Sequence, residues 1–162
     1  MKPTRRISPL GTYFITSATW QRRPIFVVGN AAQLFLKTLF HYREQGCYRL
    51  HTFVLMPDHI HLLITPVMDT TLERAVQLIK GGSAHMVGED RGRGKSVWER
   101  GFADHRIRDA EDFEVHRNYI LANPLKAGLV ERPCDYPYCS AFPGFTLDPW
   151  PAAAKAAISW AV

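Results

Sequence analysis

The spacing of apolar positions divides the chain into short segments of two different periods. Thr12–Thr19 (TYFITSAT) is rich in β-branched and aromatic residues and predicts a strand. From Asn30 the period lengthens. Ala32, Phe35, Leu36, Leu39 and Phe40 recur at helical spacing, with Gln33 placed as capping-box partner of Asn30 and Gly46 as the stop. Tyr48–Met56 and His59–Thr65 return to strand character, and Pro57-Asp58 joins them as a tight hairpin. Thr70 with Glu73 predicts the start of a second helix whose Leu72, Val76 and Ile79 face inward and which Gly81-Gly82 ends. The stretch GGSAHMVGEDRGRGKS then reads as a flexible polar loop. Val97–Ile107, around Trp98 and Phe102, predicts a strand. Asp109 caps a third helix through Asn123, where Pro124 halts or bends it and leaves one further turn to Gly128. The order β-α-β-β-α-β-α predicts a compact α+β sandwich of antiparallel strands with helices packed on it.

Composition narrows the class of protein. A chain of 162 residues is one ordinary domain, and no internal repeat or compositional break divides it. With 12% aromatic and 22% charged residues, wholesale disorder is excluded. No apolar run is long enough to span a membrane, and MKPTRRISPL lacks the apolar stretch of a signal peptide. The odd, scattered cysteines (Cys47, Cys134, Cys139) argue against a disulfide framework, so the expected setting is the cytoplasm. Charge changes the picture through its distribution. The net charge is +5, yet the chain before Glu44 holds Lys2, Arg5, Arg6, Arg22, Arg23, Lys37 and Arg43 and no acidic residue. Arg91, Arg93, Lys95 and Arg100 form a second basic cluster. A solvated surface and a phosphate-binding face are both compatible with such runs.

The candidate chemistry lies in His59-Ile60-His61. Residues two apart on a strand share a face, so both imidazoles project together, ~6.5–7 Å apart along the backbone, while Ile60, Leu62 and Ile64 turn to the core. Such a pair is half of a metal site or a pair of hydrogen-bonded histidines. On the third helix, Tyr119 and Asn123 are four residues apart and share a face, although Pro124 biases Asn123 away from helical geometry. An Asn oxygen favours Mg²⁺ or Mn²⁺ and the histidines pull toward Mn²⁺ or Zn²⁺, which leaves the ion open. Asp58 alternates out of the histidine face and is not expected among the ligands.

MPDHIHLLI, then VWERGFADHRIRD, then YILANPLKAGLV and DYPYCSA, together resemble the REP-associated tyrosine transposases. These are relatives of the single-strand insertion-sequence transposases in the HUH (His-hydrophobic-His) nuclease superfamily. The resemblance runs from Thr12 to Ala141, and sets off a transposase domain over 1–141 from a Pro/Ala-rich tail over 142–162. It implies a ferredoxin/RRM-like sandwich, with Tyr119 as nucleophile and His59, His61 and Asn123 as ligands of Mg²⁺ or Mn²⁺. Trp98, Arg100, Gly101 and Phe102 match a W-x-R-G-F block, with Glu99 where Gln is more usual.

The implied activity is cleavage and rejoining of single-stranded DNA at hairpin-forming repetitive extragenic palindromes through a 5′-phosphotyrosine. The implied partner is single-stranded or hairpin DNA, with no membrane, in a nucleoid-associated monomer or homodimer. Arg5, Arg6, Arg22, Arg23, Lys80, Arg100 and His105 are the candidate DNA contacts, with Tyr13 and Trp20 available to stack bases. Two readings compete: a non-catalytic module holding single-stranded DNA or RNA on the same fold, and a metal-dependent hydrolase working through water.

Overall fold

The computed structural model describes residues 11–27, 30–67, 69–91 and 96–150. Arg5 and Arg6, Arg93 and Lys95 of the second basic cluster, and the Ala-rich end of the chain lie outside them.

The strands are β1 (Tyr13–Ala18), β2 (Tyr48–Leu55), β3 (His59–Pro66) and β4 (Ala103–Arg106). The helices are α1 (Ala31–Glu44), α2 (Leu72–Arg91) and α3 (Ala110–Lys126). The strands form one antiparallel sheet in the order β2-β3-β1-β4, the ferredoxin-like arrangement that the resemblance implies. β3 is therefore central, flanked by β1 and β2, and both of its faces are covered. Ile60, Leu62 and Ile64 join Phe35, Leu39, Val76 and Ile79 in a core beneath α1 and α2. Leu63 on the other face packs with Val54, Phe113 and Ile120 beneath α3. Each such fully buried aliphatic or aromatic side chain contributes on the order of 1.5–3 kcal/mol.

The ends of the elements show where local signals prevail. Asp109 caps α3 as expected, its Oδ1 accepting the Asp112 N–H at 2.8 Å. Gly46 stops α1 with φ +79°, a conformation costly for any residue with a Cβ. Other expectations are corrected. Asn30 makes no side-chain cap bond. At α2 the cap is Thr71 rather than Thr70, its Oγ1 accepting the Arg74 N–H at 3.0 Å.

Gly81-Gly82 does not end α2, and the stretch read as a loop stays helical through Arg91. At Gly82 a Cβ would lie 2.9 Å from Thr38 Cγ2 and 3.1 Å from the Tyr42 ring, so this glycine lets α2 close on α1. α3 likewise continues past Asn123 with Pro124 inside it, and Asn123 is helical.

The strand expected over Val97–Ile107 is shorter. Trp98 makes only an isolated bridge to Thr19, and Gly101 (φ +75°) breaks the extension before β4 begins. Trp98 instead packs on Phe26 and Phe35 and donates its indole N–H to Ser83 Oγ at 3.1 Å.

Residues 142–150 lie against the same domain. Asp148 takes both the Nε and Nη2 hydrogens of Arg43 (2.9 and 2.8 Å), and its main-chain N–H donates to Leu50 O at 2.8 Å. Trp150 stacks on Phe113 with ring centroids 4.7 Å apart.

Candidate active site

The sheet face beneath α3 and the helix itself bring together the side chains that can do chemistry. In the β1–β3 register Thr16 pairs with His61 and Ala18 with His59. The two imidazoles project from the α3 side of the sheet with ring centroids 4.8 Å apart, the shared face that strand alternation predicts. Each ring has one nitrogen already occupied. His59 Nδ1 lies 2.7 Å from Asp58 Oδ1, and His61 Nδ1 lies 2.9 Å from Thr16 Oγ1. Nε2 is thus the nitrogen left for another partner on both.

Asp58 was expected to turn away. It belongs to the hairpin turn rather than to β3, so strand alternation does not govern it, and its carboxylate folds back onto His59. Burial, with smaller contributions from His59 and Arg22, pushes the His61 pKa down to about 4, so this imidazole is neutral at physiological pH. A neutral imidazole with its far nitrogen anchored is the form that ligates a metal.

α3 presents Tyr119 over this pair. The Tyr119 ring meets His61 edge-on at 5.3 Å, and both rest on Phe14, which stacks on His61 at 5.3 Å and meets Tyr119 at 5.9 Å. His61 is 5% exposed while Tyr119 is 45% exposed, so a buried ring backs a tyrosine open to solvent. Asn123, half-buried, follows one helical turn later. Two imidazoles and a hard amide oxygen are donors that could hold a divalent ion, and their mixed character leaves open which one.

The basic candidates are dispersed. Arg22 is at the site: its Nη1 lies 3.7 Å from Asp58 Oδ2, at the outer side of His59. Gln21 and Arg22 both have left-handed backbones (φ +53° and +54°), unusual for residues with a Cβ. Glu99, whose role the sequence leaves open, holds this turn by accepting the Gln21 N–H on Oε1 at 2.6 Å. Arg23 is exposed and donates to Gln21 Oε1 at 2.9 Å. Lys80 spends its ammonium on the carbonyls of Glu99 (2.8 Å) and Gly101, which ties α2 to the same turn. Arg100 is exposed beside that turn.

His105 sits across the β1–β4 pair from Phe14 and bonds Asp112. Sequence reasoning missed Asp112 and His116. Their spacing of four residues on α3 was the available signal, but their approach to His105 needs the fold.

The ferredoxin-like sheet thus offers a His-x-His pair to a helix-borne tyrosine. Residues 10–123 match the family described as "Transposase IS200 like". The REP-associated tyrosine transposase of Escherichia coli K12 is 27% identical over 129 residues, covering 79% of this chain and 74% of that one. A solved REP-associated tyrosine transposase bound to a REP hairpin superposes with a TM-score of 0.71 at 25% identity, covering 86% of this chain and 82% of the other.

The chain belongs to the IS200-like transposase family, and is a tyrosine transposase. Among the described residues, no helix is long and apolar enough to cross a membrane.

Proposed function

We propose that this protein cuts and rejoins single-stranded DNA at hairpin-forming repetitive extragenic palindromes, with Tyr119 as the nucleophile and His59, His61 and Asn123 as ligands of Mg²⁺ or Mn²⁺. The observation that carries this reading is the edge-on approach of an exposed Tyr119 to a buried, neutral His61. The REP-hairpin complex of a protein sharing this fold supports the choice of substrate.

A phenol of pKa about 10 is a weak nucleophile at neutral pH, so the site must act on the phosphate as well. A divalent ion held by His59, His61 and Asn123 would supply Lewis acidity to the scissile phosphate. Phe14 and His61 hold the Tyr119 ring in place, and Arg22 adds positive charge at the outer edge of the histidine pair. In the reaction the Tyr119 oxygen bonds to phosphorus as the bond to the 3′ oxygen breaks. The phenol loses its proton to solvent, and the departing 3′ oxygen gains one. One phosphodiester replaces another, so a 3′-OH reverses the step and rejoins strands without a further energy source. Tyr119 and His61 meet within one chain, an arrangement that serves a monomer acting on its own site and equally each half of a homodimer. Such a substrate places the protein in the cytoplasm, at the nucleoid.

A labelled hairpin oligonucleotide with a single-stranded flank should give a protein-linked 5′ product with Mg²⁺ or Mn²⁺. Tyr119→Phe should bind the same oligonucleotide and form none of that product. Cleavage that persists in Tyr119→Phe means that water is the nucleophile. Binding without cleavage under either ion means that the chain is a binding module.

A further inference from the structure

N-terminal to Tyr119 on α3, two further imidazoles close on one carboxylate. Asp112 and His116 are four residues apart on the helix, and His105 comes from β4. One ligating atom from each lies within 4.8 Å of the other two. Asp112 Oδ2 is 2.8 Å from His105 Nε2, and Oδ1 is 3.2 Å from His116 Nδ1. Around Zn²⁺, bonds of about 2.0–2.1 Å give a tetrahedral edge of ~3.3 Å; the two Asp–His spacings lie within roughly half an ångström of it, and the three atoms together stay within 4.8 Å, so side-chain adjustment closes them on an ion.

The trio is also organised from outside. The imidazole planes lie 17° apart with centroids at 4.6 Å, and Phe14 supports the His116 ring at 4.8 Å. The Arg108 main-chain N–H donates to Asp112 Oδ2 at 2.9 Å, the kind of outer contact that orients a ligating carboxylate. Burial opposes ionisation of Asp112, but the Arg108 amide and the two imidazoles outweigh it and hold the pKa at about 2. His116 Nδ1 also lies 2.8 Å from the carbonyl oxygen of Asp112. The trio borders a cavity of about 440 Å³ whose lining adds Asp109 and Glu111, so three carboxylates face the single guanidinium of Arg108. That excess of negative charge offsets the positive N-terminal end of α3, and selects for a cation.

We infer that His105, Asp112 and His116 form a second divalent-metal site, separate from the His59–His61 pair. Two imidazoles and one carboxylate suit a transition ion, Zn²⁺ before Mg²⁺. The ion bridges β4 and α3, and so fixes the helix that carries Tyr119 against the sheet.

Co²⁺, which reports histidine ligation by its visible absorption, tests this on the intact chain. The wild type should bind two equivalents and His105→Gln one. The double variant His59→Ala/His61→Ala should keep one equivalent, lost when His116→Gln is added, with circular dichroism verifying the fold. Zn²⁺ should raise the melting temperature of the double variant and not that of the triple one. A double variant that binds no Co²⁺ overturns the site, as does binding that neither His105→Gln nor His116→Gln alters. Two equivalents retained by the double variant, one of them lost with His105→Gln, sustain this site and refute ligation by His59 and His61.

Discussion

His59 owes its orientation to a residue outside its own strand. The Asp58 carboxylate holds Nδ1 at 2.7 Å, while Arg22 approaches the same carboxylate from the solvent side. Removing such an outer partner costs about 10–100-fold in metal affinity in comparable sites. Asp58→Ala should therefore weaken Mn²⁺ binding by about that factor in calorimetry, while saturating Mn²⁺ still supports the Tyr119 adduct. Unchanged affinity would show that His59 is held by its strand alone. His61 depends on Thr16 and on burial instead, so the two histidines of one motif are prepared in different ways.

The two adjacent glycines of α2 separate propensity from packing. Gly81 has nothing within 4 Å of where its Cβ would stand, whereas at Gly82 Thr38 and Tyr42 already occupy that space. Gly81→Ala should stabilise the protein by about 0.4–1 kcal/mol, because it only removes freedom from the unfolded chain. Gly82→Ala should destabilise it by about 1–3 kcal/mol, because α2 must move off α1. Urea unfolding of both variants checks the opposite signs; equal shifts would mean that the helices do not meet as closely as described. In α3 the analogous conflict falls at Pro124, where packing keeps the helix intact and so keeps Asn123 on the face that carries Tyr119.

Across the whole domain, a hydrogen-bonded chain joins the C-terminal stretch to the sheet. Asp148 O meets His51 Nδ1 at 2.9 Å, His51 Nε2 meets Thr65 Oγ1 at 2.8 Å, Thr65 meets Thr12 at 2.7 Å, and the Trp150 indole donates to Thr12 at 3.1 Å. Burial lowers the His51 pKa, as it does that of His61. A histidine with a depressed folded pKa takes its proton in the unfolded state first. Stability should therefore be full above about pH 6.5 and fall as the pH drops from there toward the folded values. His51→Gln should flatten part of that decline between pH 7.5 and 5 in urea unfolding, leaving the share due to His61. An unaltered profile would show that His51 keeps its ordinary pKa.

Binding is also a property of the whole surface. Each phosphate contact on a single strand contributes about −0.7 to the slope of log affinity against log salt. Arg22→Ala combined with Arg23→Ala should make that slope shallower by about 1.4 if both touch the backbone, and leave it unchanged if both are merely solvated.

The chain order of strands and helices, the shared face of His59 and His61 and the Asp109 cap were legible without coordinates. Each rests on interactions within a few residues, where periodicity and capping act. The length of α2, the continuity of α3 at Pro124, the reach of Asp58, the meeting of His105 with Asp112 and His116, and the docking of Trp150 were not. Each is decided by contacts between distant parts of the chain, such as Thr38 against Gly82 or Thr12 against Trp150. Local propensities differ by about 1 kcal/mol or less for most residues, and the burial of a single large side chain exceeds that. Pattern in the chain thus supplied the histidine pair and the candidate tyrosine as separate elements. Sheet order and the packing of α3 brought them to one place.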